Sequence, residues 1–179
     1  MTNRDTFRLR SFLAALAAAG ELDQVGEQVD LIDVAARLDG NPRAVLFSRV
    51  GPEGAELAGN VMGSRKRLAL ALGVAENQVV AEVLNRIAAP VAPLEVPAAD
   101  APVQEVTLKG DDLDLTALPV HLQHSVDGAP YISASLDFSR KQAPGTFNVG
   151  CRRLMLLGPR ETGIDLNAPS DLRVRFEAV

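Results

Sequence analysis

Two histidines three positions apart, His121 and His124 in VHLQHS, have the types and spacing that could do chemistry. On one helix face such imidazoles could share a metal ion. Pro119 and the run Gly128-Ala129-Pro130 make this segment a loop instead, so the histidines read as solvent-facing or capping groups. Asn148 and Arg153 bracket a second stretch, NVGCRR. The Asn148 amide offers a hard oxygen suited to manganese or magnesium, or else Asn148 simply leaves a turn after Gly145. Arg153 carries a planar fork that matches a carboxylate, or else it is a strand-surface arginine. Their odd spacing puts the two side chains on opposite faces of an ideal strand. A bulge, which Gly150 would permit, or a ligand lying along the edge must reconcile them. Asp171 follows Ser170, and it is either an oxygen ligand for a divalent ion or the first-turn acid of a Ser170-capped helix. The chain has no Gly-rich phosphate loop, no paired cysteine ligands and no His-Glu-x-x-His, and no nucleophile elbow supports a Ser-His-Asp triad.

The elements that must position these residues fall into two styles. Leu9, Phe12, Leu13 and Leu16 recur at helical spacing before Gly20, and Leu31, Val34, Ala35 and Leu38 repeat the pattern. Ala44 to Val50 reads as a strand with a partner at Leu57 to Met62. Ser64 caps a helix over 65–72 that Gly73 ends, and Val79, Val83, Leu84 and Ile87 mark another. Four prolines between Pro90 and Pro102 predict an extended connector. Beyond it, Val103 to Lys109 is predicted as a strand and Asp111 to Leu118 as a turn with a short helical piece. Tyr131 to Arg140 and Phe147 to Leu157 are predicted as further strands, and Ser170 opens a last helix. The expectation is an α+β chain: an α/β domain over residues 1–100, then mainly antiparallel strands over 101–179.

Composition narrows the partners. Hydrophobic residues make up 47% and charged residues 23%, the balance of a globular chain that can bury a core. The net charge of −5 argues against nucleic acid, though an arginine pair can still make one pocket attractive to a small anion. The longest apolar run, Phe12 to Ala19, is far short of the ~20 residues of a membrane-spanning helix. Cys151 is the only cysteine, so no internal disulfide forms, and no signal-peptide pattern precedes the first helix; a reducing, cytoplasmic setting is expected.

Four stretches in order carry a resemblance to one family. Residues 9–22 (LRSFLAALAAAGEL) and 60–73 (NVMGSRKRLALALG) come first. GDDLDLTALP from Gly110, with Gly128-Ala129-Pro130-Tyr131-Ile132, comes next, and Asn148-Val149-Gly150-Cys151-Arg152-Arg153 completes the set. Each is weak alone. Together they resemble the UbiD-type decarboxylases, which use prenylated FMN, across almost the whole chain.

The resemblance implies an α/β domain followed by the start of a flavin-reductase-like split β-barrel. It implies prenylated FMN held through Mn²⁺ (or Mg²⁺) and K⁺, and reversible decarboxylation of an aromatic, heteroaromatic or α,β-unsaturated acid. The chemistry is then the cofactor's, with the protein supplying position and charge. Asn148 falls on the family's metal-ligating asparagine, and Arg153 on the arginine that holds the substrate carboxylate and orients a catalytic glutamate. Cys151, Arg152 and Arg153 match the flavin-contacting backbone. Asp165, Leu166, Asn167, Ser170 and Asp171 match a second cofactor stretch, where many members carry Arg or His; Asp171 coincides with a metal-ligand position. The family's third metal ligand and its catalytic acids match nothing before Val179. The expectation is therefore an N-terminal part of such an enzyme, inactive alone, in a homo-oligomer or completed by a partner chain. A non-catalytic scaffold subunit and a plain FMN-binding split-barrel protein are the competing readings.

Overall fold

The structure, a computed structural model, describes residues 8–92, 94–140, 147–167 and 169–178. Gly145 and Val179 lie outside the described residues. Two compact units meet between Leu108 and Lys109.

The first unit is built on a three-stranded sheet. Helix α1 (Leu9–Ala18) leads into strand β1 (Leu22–Val29); a short 3-10 turn and helix α2 (Val34–Leu38) carry the chain to strand β2 (Ala44–Val50). Strand β3 (Ala55–Gly59) completes the sheet, which runs β1-β2-β3, with β1 and β2 parallel and β2 and β3 antiparallel. Alternation along β2 sorts the core onto two faces. Val45 and Phe47 pack with Val29, Val34 and Val50, joined by Leu38 of α2. Ala44 packs with Leu13 and Leu16 of α1, joined by Leu46. One helix therefore covers each side of the sheet.

Helix α3 (Arg65–Leu72) begins where Ser64 Oγ accepts from the Arg67 amide and ends at Gly73, whose φ of 72° is the left-handed conformation glycine adopts cheaply. Helix α4 (Val79–Ala88) follows a 3-10 turn. Arg67 is almost fully buried at 1% exposure. Its Nη1 donates to Glu21 Oε2 (3.1 Å) and to the Pro42 carbonyl (2.8 Å), bracing α3 against the start of β1. Lys66 Nζ reaches the other Glu21 oxygen at 2.6 Å.

Three strand expectations need correction in these two units. Strand β1 was not expected, because Asp23, Gln24, Gly26 and Glu27 have poor strand propensity; pairing with β2 overrides it. Strand β3 ends at Gly59 rather than Met62, because Asn60 turns to a φ of 53° and its Nδ2 donates to the Leu38 carbonyl. Val103 to Lys109 is not a strand: Pro102–Gln104 form a 3-10 turn, and Val103, Val106 and Leu108 are exposed. Pro102 lacks an amide hydrogen, and no described strand pairs with this segment.

The second unit opens with 3-10 turns at Gly110–Asp112 and Leu115–Ala117. Strands β4 (Tyr131–Arg140), β5 (Phe147–Gly158) and β6 (Glu161–Ile164) then form an antiparallel sheet in that order. The expectation stopped at β5; β6 is a short return over the turn at Pro159 and Arg160. The Leu115 amide donates to the Pro159 carbonyl (2.8 Å), and Arg160 pairs with Asp111 (2.7 Å), so the opening turns hold that hairpin. Helix α5 (Asp171–Glu177) starts with Ser170 Oγ accepting from the Arg173 amide.

Two carboxylates in the first unit have lowered pKa values. For Glu21 the main cause is the hydrogen bond from Lys66, and for Asp23 the hydrogen bond from Arg43; desolvation opposes both. A carboxylate depressed in the folded state adds stability above its unfolded pKa and loses it as the pH falls through the folded value. The first unit is therefore expected to keep this stability above about pH 4.5 and to lose it progressively at more acid pH. Thermal unfolding between pH 7 and pH 3 should show a shallower pH dependence in Glu21→Gln than in the parent. Parallel curves would contradict this.

Candidate functional site

Strand alternation decides which candidate residues meet. In the β4–β5 ribbon, Ser135 faces Arg152, Asp137 faces Gly150, and Ser139 faces Asn148. These six positions share one face, because paired residues and every second residue point the same way. The opposite face carries Leu136, Phe138, Phe147, Val149, Cys151 and Arg153, and it is the more exposed one, with Phe138 at 69%. The ribbon thus turns a polar face inward on itself and leaves an apolar face open, the reverse of a simple one-sided sheet.

The polar face is crowded around Gly150. Arg152 runs back over it: a Cβ at position 150 would lie 2.9 Å from Nη2 and 3.1 Å from Cζ, so a larger residue there would push the flexible guanidinium aside. Arg152 Nε comes within 3.3 Å of Asp137 Oδ2, near enough for charge attraction. The pair nevertheless lacks hydrogen-bond geometry, and both atoms are fully buried without a hydrogen-bond partner, as is Ser139 Oγ. Asp137 Oδ1 is taken by the Ser135 hydroxyl at 2.6 Å. Three orphaned polar atoms so close together are costly unless something else satisfies them.

Asn148 and Arg153 stay on opposite faces. The expected bulge at Gly150 is absent, since register is continuous from Phe147 to Arg152; the irregularity lies in β4, between Ile132 and Ser135, across from Arg153. There the Arg153 guanidinium stands over the Tyr131 ring, its Cζ 5.9 Å from the centroid. Cys151, a free thiol, is exposed on the same side.

The second candidate stretch is held within itself. Asp165 Oδ1 accepts from the Asn167 amide (2.8 Å), and Arg173 Nη1 donates to the Asn167 carbonyl (2.8 Å). Leu166 lies between these two, and Ser170 caps α5 with Asp171 in its first turn. Sequence reasoning missed Arg173, Asp137 and Tyr131; the alternation in YISASLDFSR puts Asp137 on the polar face of its strand, and the register with β5 sets it opposite Gly150.

The histidines are where a loop reading puts them. His124 Nδ1 accepts from the Val126 amide, and desolvation lowers the His121 pKa, which favours the neutral ring. Among the described residues, no group of three or more His, Cys, Asp or Glu side chains could hold a metal ion, and no helix is long and apolar enough to cross a membrane.

Two family models match. Residues 13–87 match the N-terminal domain of 3-octaprenyl-4-hydroxybenzoate carboxy-lyase, and residues 94–179 match the Rift-related domain of the same enzyme. A phenolic acid decarboxylase of Streptomyces is 35% identical over 168 residues, 84% of this chain and 35% of its own. An anhydromevalonate phosphate decarboxylase of Methanosarcina mazei is 31% identical over 161 residues, 89% of this chain and 36% of its own. An evolved dimeric form of the UbiD-class enzyme HmfF from Pelotomaculum thermopropionicum, solved with prFMN, superposes with a TM-score of 0.86. It is 31% identical, over 95% of this chain and 40% of that one. The chain spans about a third of the length of the curated relatives it matches. Two adjoining models of one enzyme, matched in order along nearly the whole chain and on a shared mixed α/β fold, leave one conclusion: this chain belongs to the UbiD family of carboxy-lyases.

Proposed function

We propose that the chain is part of a UbiD-like (de)carboxylase that works reversibly on an aromatic, heteroaromatic or α,β-unsaturated carboxylic acid with prenylated FMN. The observation that carries this is the match of residues 94–179 to the family's Rift-related domain, and the polar face of the β4–β5 ribbon, with three buried polar atoms lacking a hydrogen-bond partner, supports it. Of those atoms, Arg152 Nε and the Ser139 hydroxyl are donors that a polar ligand would satisfy, whereas Asp137 Oδ2 calls for a donor or a cation. In this reading β4, β5 and β6 begin a split β-barrel, residues 1–100 form the domain before it, and residues 101–179 belong to the barrel.

Asn148 supplies an amide oxygen to Mn²⁺ or Mg²⁺, with Asp171 as a second ligand and K⁺ nearby. Cys151, Arg152, Asp165, Leu166, Asn167 and Ser170 line the cofactor. Prenylated FMN, when bound, supplies the electron sink for the electrons left behind as CO₂ departs. Arg153, on the other face of β5, holds the substrate carboxylate through its fork. The assembled enzyme is a homo-oligomer in a cytoplasmic, reducing setting, where the exposed Cys151 stays a thiol. No affinity for nucleic acid or membranes is expected of it, and a partner chain completing the site remains part of this proposal.

The test supplies the polypeptide that carries residues 1–179, as cells make it, with prenylated FMN and manganese. A panel of aromatic and unsaturated acids is then followed for CO₂ release. Manganese-dependent release from at least one class is the expected result. Flavin binding with no turnover of any acid would favour a scaffold role and overturn the enzymatic reading.

A further inference from the structure

An arginine on the exposed face of a strand samples many rotamers, and Arg153 lies on such a face of β5. The ribbon sets an aromatic ring beside it through an irregularity in β4. From Ser135 to Arg140 the register with β5 is regular, with Ser135 opposite Arg152 and Leu136 opposite Cys151. Carried back unchanged, that register would set Tyr131 opposite Leu156, on the face of Asp137 and away from Arg153. Instead Tyr131 stands opposite Met155 and Ile132 opposite Leu154, so two residues of β4, Ser133 and Ala134, stand against Arg153 alone. One extra residue in a strand exchanges its faces. Tyr131 therefore shares a face with Arg153, although it lies an even number of residues from Ser133, Ser135 and Asp137. Diagonal neighbours on one face are about 7–8 Å apart, within reach of aromatic and long side chains. The half-buried Tyr131 ring accordingly lies under the Arg153 guanidinium, 5.9 Å from Cζ to centroid.

We propose that Tyr131, brought to this face by the irregularity at Ser133 and Ala134, is a positioning residue that holds the Arg153 guanidinium ready for the substrate carboxylate. The inference rests on the reading that Arg153 grips that carboxylate, and it adds the residue that fixes the grip. An aromatic face suits this task for a chemical reason. A carboxylate partner would occupy the N–H donors of the fork and cancel its charge. A ring face attracts the cation through its quadrupole, while the donors, which lie in the guanidinium plane, stay available and the charge stays whole. Less rotamer freedom is then lost when the acid binds, so binding costs less. The irregularity is the structural device: with a regular β4 the ring would lie on the other side of the sheet.

The experiment is a double-mutant cycle on kcat/KM for the responsive acid, in the full polypeptide loaded with prenylated FMN and manganese. Tyr131→Leu should cut kcat/KM by about threefold or more, the weight of one cation–π contact. Phenylalanine keeps the ring face, so Tyr131→Phe should recover most of what leucine loses. In the Arg153→Ala background, adding Tyr131→Leu should change kcat/KM by less than about twofold, because no guanidinium is left to hold. Circular dichroism and flavin affinity check that each variant is folded and loaded. Should Tyr131→Leu fold poorly, Tyr131→Met removes the ring with a more adaptable side chain and carries the same expectation. A loss below threefold, a Tyr131→Phe protein as poor as Tyr131→Leu, or an equal loss with and without Arg153 would each overturn the inference. In those cases a large effect of Arg153→Ala alone would leave the reading of Arg153 standing. An Arg153→Ala protein as active as the parent, or a parent that turns over no acid, would overturn both together.

Discussion

Replacing Arg153 by alanine is expected to lower turnover of the responsive acid by about 10²–10³-fold, the usual loss when one positioned electrostatic donor is removed from a reacting centre. The geometry behind this is simple. Arg153 stands on the open face of β5, over the Tyr131 ring, and makes no ion pair with a described carboxylate. Its charge is held in place by an aromatic surface, worth about 0.5–1 kcal/mol at an exposed site, and is left available to an incoming carboxylate. Because the side chain is exposed, stability should change by no more than about 0.5 kcal/mol. Arg153→Lys should regain only part of the rate, since a point charge cannot grip two carboxylate oxygens at once. The measurement is kcat and KM for CO₂ release alongside thermal unfolding. Unchanged turnover in a folded Arg153→Ala protein would remove Arg153 from the site.

The second large effect is structural. Arg67→Ala should lower stability of the first unit by about 3–4 kcal/mol, combining a lost charge-assisted hydrogen bond to the Pro42 carbonyl, the broken brace to Glu21 and the cavity left by a buried stem. Glu21 does not become an uncompensated charge, because Lys66 still reaches it, and that keeps the loss below the upper range for broken buried pairs. Arg67→Met should cost less, since the methionine refills most of the stem volume. Urea unfolding followed by far-ultraviolet circular dichroism measures both variants, and a loss under about 1 kcal/mol for alanine would show that the brace contributes little. Arg67 lies in GSRKR, one of the stretches on which the family resemblance rests. In this structure that motif braces the fold.

Much of the architecture was legible because it depends on local chemistry. Ser64 and Gly73 mark the ends of α3, and Ser170 marks the start of α5, because caps satisfy orphaned backbone groups within a few residues of themselves. The alternation in YISASLDFSR and FNVGCRRLMLLG predicted β4 and β5 for the same reason: the period of two belongs to the strand itself. The family too was legible, since order and spacing of short motifs survive in one dimension.

What the sequence could not determine is set by partners distant along the chain. Strand β1 exists because β2 lies beside it, despite residues that favour turns, while Val103 to Lys109 has strand-like residues and pairs with no strand among the described residues. The candidate site follows the same rule. The family resemblance brought Asn148 and Arg153 to one site although their odd spacing sets them on opposite faces; the continuous register of β5 keeps them there and groups Asn148 with Arg152 and Asp137. The regular register from Ser135 to Arg140, which composition does not reveal, sets Asp137 beside Gly150 and Arg152, because a slip of one residue would exchange the two faces of a strand. Local propensity therefore determined the elements and the family, and hydrogen-bond register between strands decided which side chains meet.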